Sequence, residues 1–237
     1  MDLPADAPPL ARAGEVPVPA LYARLDTVEG RVTGRWRRRR DAEFEVFELA
    51  DGLVVRWIRT TRQEVEDHVL DAAGRPSVTV FRQGGVPGRA VVHGVSDAPV
   101  DLAGWVTVPG PVGAITLPSA PTPIEGGLAV EALGGRLEVW REETTDPVTP
   151  AFLVGLLAGS GATLADRSTV WVDGRPGVRF ALLAGSVPAS VWAVPVEGGT
   201  LVLAWKGAST DDPEGAWLRT RILPALVDLD AAPVEAP

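Results

Sequence analysis

The chain has no cysteine, one lysine (Lys206), one methionine, one tyrosine and two histidines in 237 residues. The missing thiols exclude disulfides, thiolate metal sites and a cysteine nucleophile together. His68 and His93 sit on different predicted strands, too few imidazoles for a closed zinc ligand set. Long apolar runs are absent as well. The longest candidate, residues 151–158, lies between Pro150 and Gly159 and falls short of the roughly 18 residues that a membrane-spanning helix needs, so no integral membrane segment is expected. Basic residues are outnumbered, 22 Lys+Arg against 31 Asp+Glu for a net charge of −9. That balance opposes nucleic-acid binding, whose affinity comes largely from cationic contacts to phosphates.

What is present describes a folded protein. With 46% hydrophobic and 22% charged residues, the chain is neither disordered nor fibrous, and its length suits one large or two small domains. Residues 1–19 carry Pro4, Pro8, Pro9, Pro17 and Pro19 among small and acidic residues, the make-up of a solvated leader or tether. They lack the apolar core of a signal peptide. The chain as it stands reads as cytoplasmic, the alternative being an exported protein whose signal has been removed.

From residue 20 to about 108, short β-branched and aromatic runs alternate with turn residues, which predicts an antiparallel meander. Strands are expected at 29–39, 43–49, 53–61, 64–70, 77–82 and 89–95. Phe44, Val46, Phe47 and Leu49 put apolar groups on both faces of one strand, so that part of the sheet is expected to be covered twice or bulged. Proline and glycine then crowd residues 109–123, the expected linker, with a boundary near Gly110. The acidity lies mainly beyond it, net −2 for residues 1–110 and −7 for 111–237.

The second half predicts strands at 114–117, 128–133 and 136–142, with Gly134-Gly135 as a hairpin turn. Asp146-Pro147 and Thr149-Pro150 then precede Phe152, Leu153, Leu156 and Leu157 at helical spacing. Strands are expected again at 168–172, 178–183, 190–196 and 201–205. A closing helix follows, capped by Asp212 with Pro213 in its first turn, and residues 231–237 form a small-residue tail.

Three segments of this half, TVWVDGRPGVRF (169–180), VWAVPVEGGTLVLAWKG (191–207) and WLRTRILPALVDL (217–229), resemble the strand–turn–strand unit, the following hairpin and the closing helix of the PsbP and DcrB type of α/β/α sandwich. The resemblance covers about residues 112–230. It implies an α+β fold in which this sandwich, with an antiparallel sheet, follows the N-terminal β-meander domain. It also implies a role of the kind most of those proteins have, as adaptors, subunits of assemblies or chaperones of hydrophobic segments.

The candidate sites are few. Trp36, Arg37, Arg38, Arg39 and Arg40 form a dense cationic run with one aromatic and are the candidate partner-binding patch. A hairpin near Asp41 would set Arg39 against Glu43 and Arg37 against Glu45, which accounts for the arginines as cross-strand ion pairs without any ligand. Glu64, Glu66 and His68 share a strand face and could touch a metal, although a solvated face explains them equally. Glu142, Glu143, Asp211, Asp212 and Glu214 supply carboxylates beside turns and helix starts, where they favour the helix dipole. Ser160 and Ser186 lack the strand–elbow–helix context of a nucleophile, and no phosphate loop or dinucleotide fingerprint occurs.

No catalytic residue, metal or cofactor is therefore expected. The reading is a non-catalytic protein-binding, assembly or chaperone-like protein. A carrier of an apolar small molecule or lipid is the alternative, since Trp-rich sheets can enclose a cavity, and an enzyme of unrecognised type comes third. Edge strands could also pair two copies as a homodimer. Whether Trp57, Trp140, Trp171, Trp192 and Trp205 serve the core or a surface is a question for the tertiary structure.

Overall fold

Among the residues that the computed structural model describes, alternation of apolar and polar residues between Gly-containing turns generates eighteen strands, one α-helix and one 3-10 helix. The described residues are 22–28, 31–40, 43–50, 53–61, 63–71, 74–96, 98–143, 162–207, 212–229 and 231. The chain divides into two units, Met1–Ala103 and Gly104–Pro237.

The first unit is one antiparallel sheet in sequence order: β1 (Tyr22–Val28), β2 (Arg31–Arg40), β3 (Glu43–Ala50), β4 (Leu53–Thr60), β5 (Val65–Leu70), β6 (Pro76–Gln83), β7 (Val86–Val92) and β8 (Val100–Asp101). Strand β3 pairs with β4 through a register shift between Glu48 and Leu49, at which β4 carries the extra residue, Val55. Val78, Val80, Ala90 and Val92 are buried on one face of this sheet, and Trp57 with Thr79 on the other.

The second unit holds two sheets. Three short strands, β9 (Val106–Pro109), β10 (Ala114–Leu117) and β18 (Val227–Asp228), pair in the order β18–β10–β9. Seven strands form the larger sheet: β11 (Thr122–Ile124), β12 (Gly127–Ala132), β13 (Gly135–Glu142), β14 (Ala162–Val172), β15 (Arg175–Ala184), β16 (Val187–Val196) and β17 (Gly199–Gly207), in the order β11–β12–β13–β17–β16–β15–β14. Residues 109–123, expected as a linker, thus carry β10 and β11. Gly113 there has φ +61°, and a Cβ on it would strike the Asp228 carbonyl of β18, so glycine is required for the small sheet to close.

Two of the turns differ from those that the sequence led one to expect. Leu133-Gly134 and Asp173-Gly174 both have positive φ at the two central residues, the type I′ geometry whose twist matches that of the flanking strands. The first of these hairpins therefore turns one residue earlier than predicted. The second shortens an expected five-residue loop to two.

Helix α1 (Pro213–Thr220) begins as its sequence requires, Asp212 accepting from Gly215 N at 2.8 Å with Pro213 in the first turn. It lasts eight residues. A 3-10 helix (Leu223–Leu226) containing Pro224 follows and leads into β18. The core lies between one face of the seven-stranded sheet and this layer. Leu137, Val139, Trp192, Leu203 and Trp205 of the sheet meet Ile115, Leu117, Ala216, Leu223 and Val227. A second cluster, Phe180, Leu182, Ala189, Val191 and Val202, occupies the opposite face.

The expected α+β class, with an α/β/α sandwich in the second half, is overturned. The described residues are mostly β, in three antiparallel sheets, and their helical content is α1 and one 3-10 turn. The physical reason is that residues 162–207 form three consecutive hairpins, while Pro224 lacks the N–H needed to prolong the closing helix. The helix predicted after Pro150 lies outside the described residues, as do residues 1–19 and 232–237.

Candidate functional site

The cationic run sits in β2, hydrogen-bonded between β1 and β3. Its register differs by one residue from the expected one: Arg40 opposes Glu43, Arg38 opposes Glu45, Arg35 opposes Glu48, and Trp36 holds the register position opposite Phe47. Arg37 and Arg39 oppose Val46 and Phe44. A one-residue slip exchanges the faces of a strand, so the register pairs Arg38 and Arg40, rather than Arg37 and Arg39, with glutamates.

Both histidines of the chain meet on one hydroxyl. Neighbouring strands bring His68 of β5 opposite Thr79 of β6, and His93 follows two residues after Val91, the β7 partner of Thr79. His68 Nδ1 lies 2.9 Å from Thr79 Oγ1, which lies 2.8 Å from His93 Nε2. The far nitrogen of His68 is 3.3 Å from Glu66 Oε2, and its ring stacks on Trp57 with centroids 4.6 Å apart.

With His68 neutral, one proton order satisfies every group. His93 donates to Thr79, Thr79 donates to His68 Nδ1, and His68 Nε2–H donates to the Glu66 carboxylate. This order needs a neutral His68. Burial favours that state and pushes the His68 pKa below its ordinary 6.5, against the opposing pull of Glu66 and Asp67 and with the help of His93.

Thr79 is 1% exposed, which keeps its hydroxyl from any substrate, so the arrangement works as an internal hydrogen-bond relay. Glu64, expected beside His68, instead meets Arg89 at 3.2 Å. No group of three His, Asp or Glu among the described residues is placed to hold a metal.

Other predicted groups have structural employment. Asp212 caps α1, and Ser186 occupies the turn between β15 and β16. Ser160 and Asp211 lie outside the described residues. Trp57, Trp192 and Trp205 are buried, Trp140 packs on the second cluster of its sheet, and Trp171 is half-buried. The tryptophans thus serve mainly the cores.

The exposed feature is a sheet edge. Strand β14 is eleven residues long and, among the described residues, pairs only with β15. Thr163, Leu164, Ala165, Asp166 and Arg167 are all exposed. Because successive side chains point to opposite faces, five exposed residues in a row mean that both faces of the sheet are open at this end. Leu164 is 45% exposed, and Leu183, across from Thr163 on β15, is 41% exposed. A register shift between Leu164 and Asp166, together with the charges of Asp166 and Arg167, interrupts the edge in the manner by which sheets resist indiscriminate pairing. Sequence reasoning missed this edge because a strand's neighbours are not written in its own residues.

No family model matches the chain, and no curated protein matches it. Among the described residues no helix is long and apolar enough to cross a membrane.

Proposed function

We propose that the protein is a non-catalytic binding and assembly protein that takes an extended segment of a partner chain alongside β14. The observation that carries this reading is the eleven-residue edge, open on both faces at Thr163–Arg167 and flanked by exposed Leu164 and Leu183. An added strand would pair the edge's backbone groups and cover Leu164 on the edge strand itself, while the bulge and the charges of Asp166 and Arg167 select against the wrong register. The employment of both histidines in a buried relay is consistent with a role that involves no turnover.

Native mass spectrometry of the protein isolated from its source tests the proposal. The expected result is a stoichiometric complex with a second polypeptide, lost in Leu164→Asp while the variant keeps its melting temperature. A doubled mass would give the edge to a second copy of the chain and overturn the partner claim. An added small-molecule mass in place of a polypeptide would overturn it in favour of a carrier.

A further inference from the structure

Among the described residues, the second unit buries four side-chain donors that have no hydrogen-bond partner: Arg179 Nε, Arg221 Nε, Ser190 Oγ and Trp205 Nε1. They belong to one region. Arg179 on β15 stands opposite Trp192, whose side chain belongs to the core between the large sheet and α1, so Arg179 projects into that same layer. Ser190 and Trp205 are cross-strand partners on the same face, in the adjoining row. Trp217 of α1 links the groups: the Arg179 guanidinium lies 5.1 Å from its ring, and its ring centroid is 6.1 Å from that of Trp205. Arg221 follows Trp217 by four residues, which places it one turn further along the same side.

Arg179 is 8% exposed, and among the described residues it makes no ion pair. Asp166, an exposed residue of β14, acts on it only at longer range. Its charge is disfavoured first by burial and then by Arg221, which together lower its pKa from the ordinary arginine value. A buried Arg179 beside a half-buried Arg221, with the Nε donor of each buried and unpaired, is incomplete as a hydrogen-bonded structure. What completes it is a compact acceptor bearing negative charge. Arginine forks match oxyanions in geometry, and an aromatic wall beside them holds a guanidinium plane in place.

We propose that Arg179 and Arg221, with the Ser190 hydroxyl and the Trp205 indole N–H as further donors and Trp217 as the wall, form a binding site for a small oxyanion, a phosphoryl or carboxylate group. This assignment stands apart from the β14 edge, since its ligand is an anion rather than a strand.

Isothermal titration of the full chain tests it, with inorganic phosphate in one arm and acetate in another, at constant ionic strength in chloride. The expected result is saturable one-to-one binding of one of the two, accompanied by a higher melting temperature and weakened at least tenfold in Arg221→Gln. Arg136→Gln, at an exposed arginine already held by Glu131 and Glu138, leaves binding unchanged. Stronger binding of phenyl phosphate than of phosphate, or of benzoate than of acetate, places the group on a larger molecule, and the reverse order assigns the free ion. Arg179→Met supplies a readout that does not depend on choosing the right anion. It removes an unpaired buried charge while keeping the length of the stem, so it raises the melting temperature without anion and abolishes the anion-induced rise. Absence of saturable binding in every arm, equal binding by Arg221→Gln, or a fall in melting temperature for Arg179→Met overturns the site.

Discussion

Arg56 in the first unit and Arg179 in the second are both arginines drawn into a sheet, and their surroundings differ completely. Arg56 donates through Nε and Nη2 to both carboxylate oxygens of Asp67, at 2.8 and 2.7 Å, and reaches Glu48 at 3.4 Å. Arg82 stands 3.8 Å from the same Asp67. Arg179 has an aromatic ring and another arginine. The first unit also ties its two imidazoles and a buried threonine into one relay, whereas the second leaves a serine hydroxyl and an indole N–H idle in its core. A buried polar network that satisfies its own members is a structural device. One that lacks its acceptor points to something the fold itself does not contain.

The largest expected effect probes that contrast directly. Asp67→Ala strands Arg56 beside a 3%-exposed position and is expected to destabilise the first unit by about 3 kcal/mol or more. The double variant Arg56→Met/Asp67→Leu recovers most of the loss. Calorimetry that finds no recovery would show that the pair does more than neutralise itself. In the second unit, Leu203→Ala removes a fully buried side chain and costs about 2 to 5 kcal/mol. If the two units melt independently, each variant moves one transition only, and a common shift of both transitions would dissolve the comparison.

Acid sharpens the difference further, because both histidines lie in the first unit. His68 has its pKa lowered from 6.5 in the folded state, so between those two values the unfolded chain binds the additional proton. Stability then rises with pH across the window. The contribution of a neutral His68 is complete above about pH 6.5 and is lost as pH falls toward the folded value. The first transition is therefore expected to drop in temperature as the pH is taken from about 7 to about 5, and His68→Gln flattens that dependence. A slope unchanged by this substitution would assign it to other groups. The smallest effect concerns α1: Asp212→Ala removes the bond to Gly215 N and costs about 1 kcal/mol in the second transition.

Much of the strand pattern was legible because alternation and Gly-containing turns are local signals. The spans 43–49 and 53–61 reappear as β3 and β4 nearly unchanged, and Asp212-Pro213 marks the start of α1 as expected. Tyr22–Val28 was not anticipated as a strand, and the α/β/α expectation failed where consecutive hairpins replaced layered helices. The β2–β3 register differed by one residue because the position of a turn decides it and the alternation of charges does not. The relay was illegible for a related reason. His68 and His93 are 11 and 14 residues from Thr79, and only the pairing of β5, β6 and β7 makes them neighbours.

The sequence by itself determined that this protein has no thiol chemistry, that its net charge is −9, and that most of its residues would extend into short strands between tight turns. These are properties of composition and of neighbours along the chain. Tertiary structure decided which arginine received a carboxylate, which hydroxyl joined the two imidazoles, and which strand was left with an open edge. Arg179 and Arg56 cannot be told apart as residues in β-rich stretches. Their difference arises when β15 closes against β16 beneath α1 and brings an arginine and an indole, rather than an acid, to the buried end of the side chain.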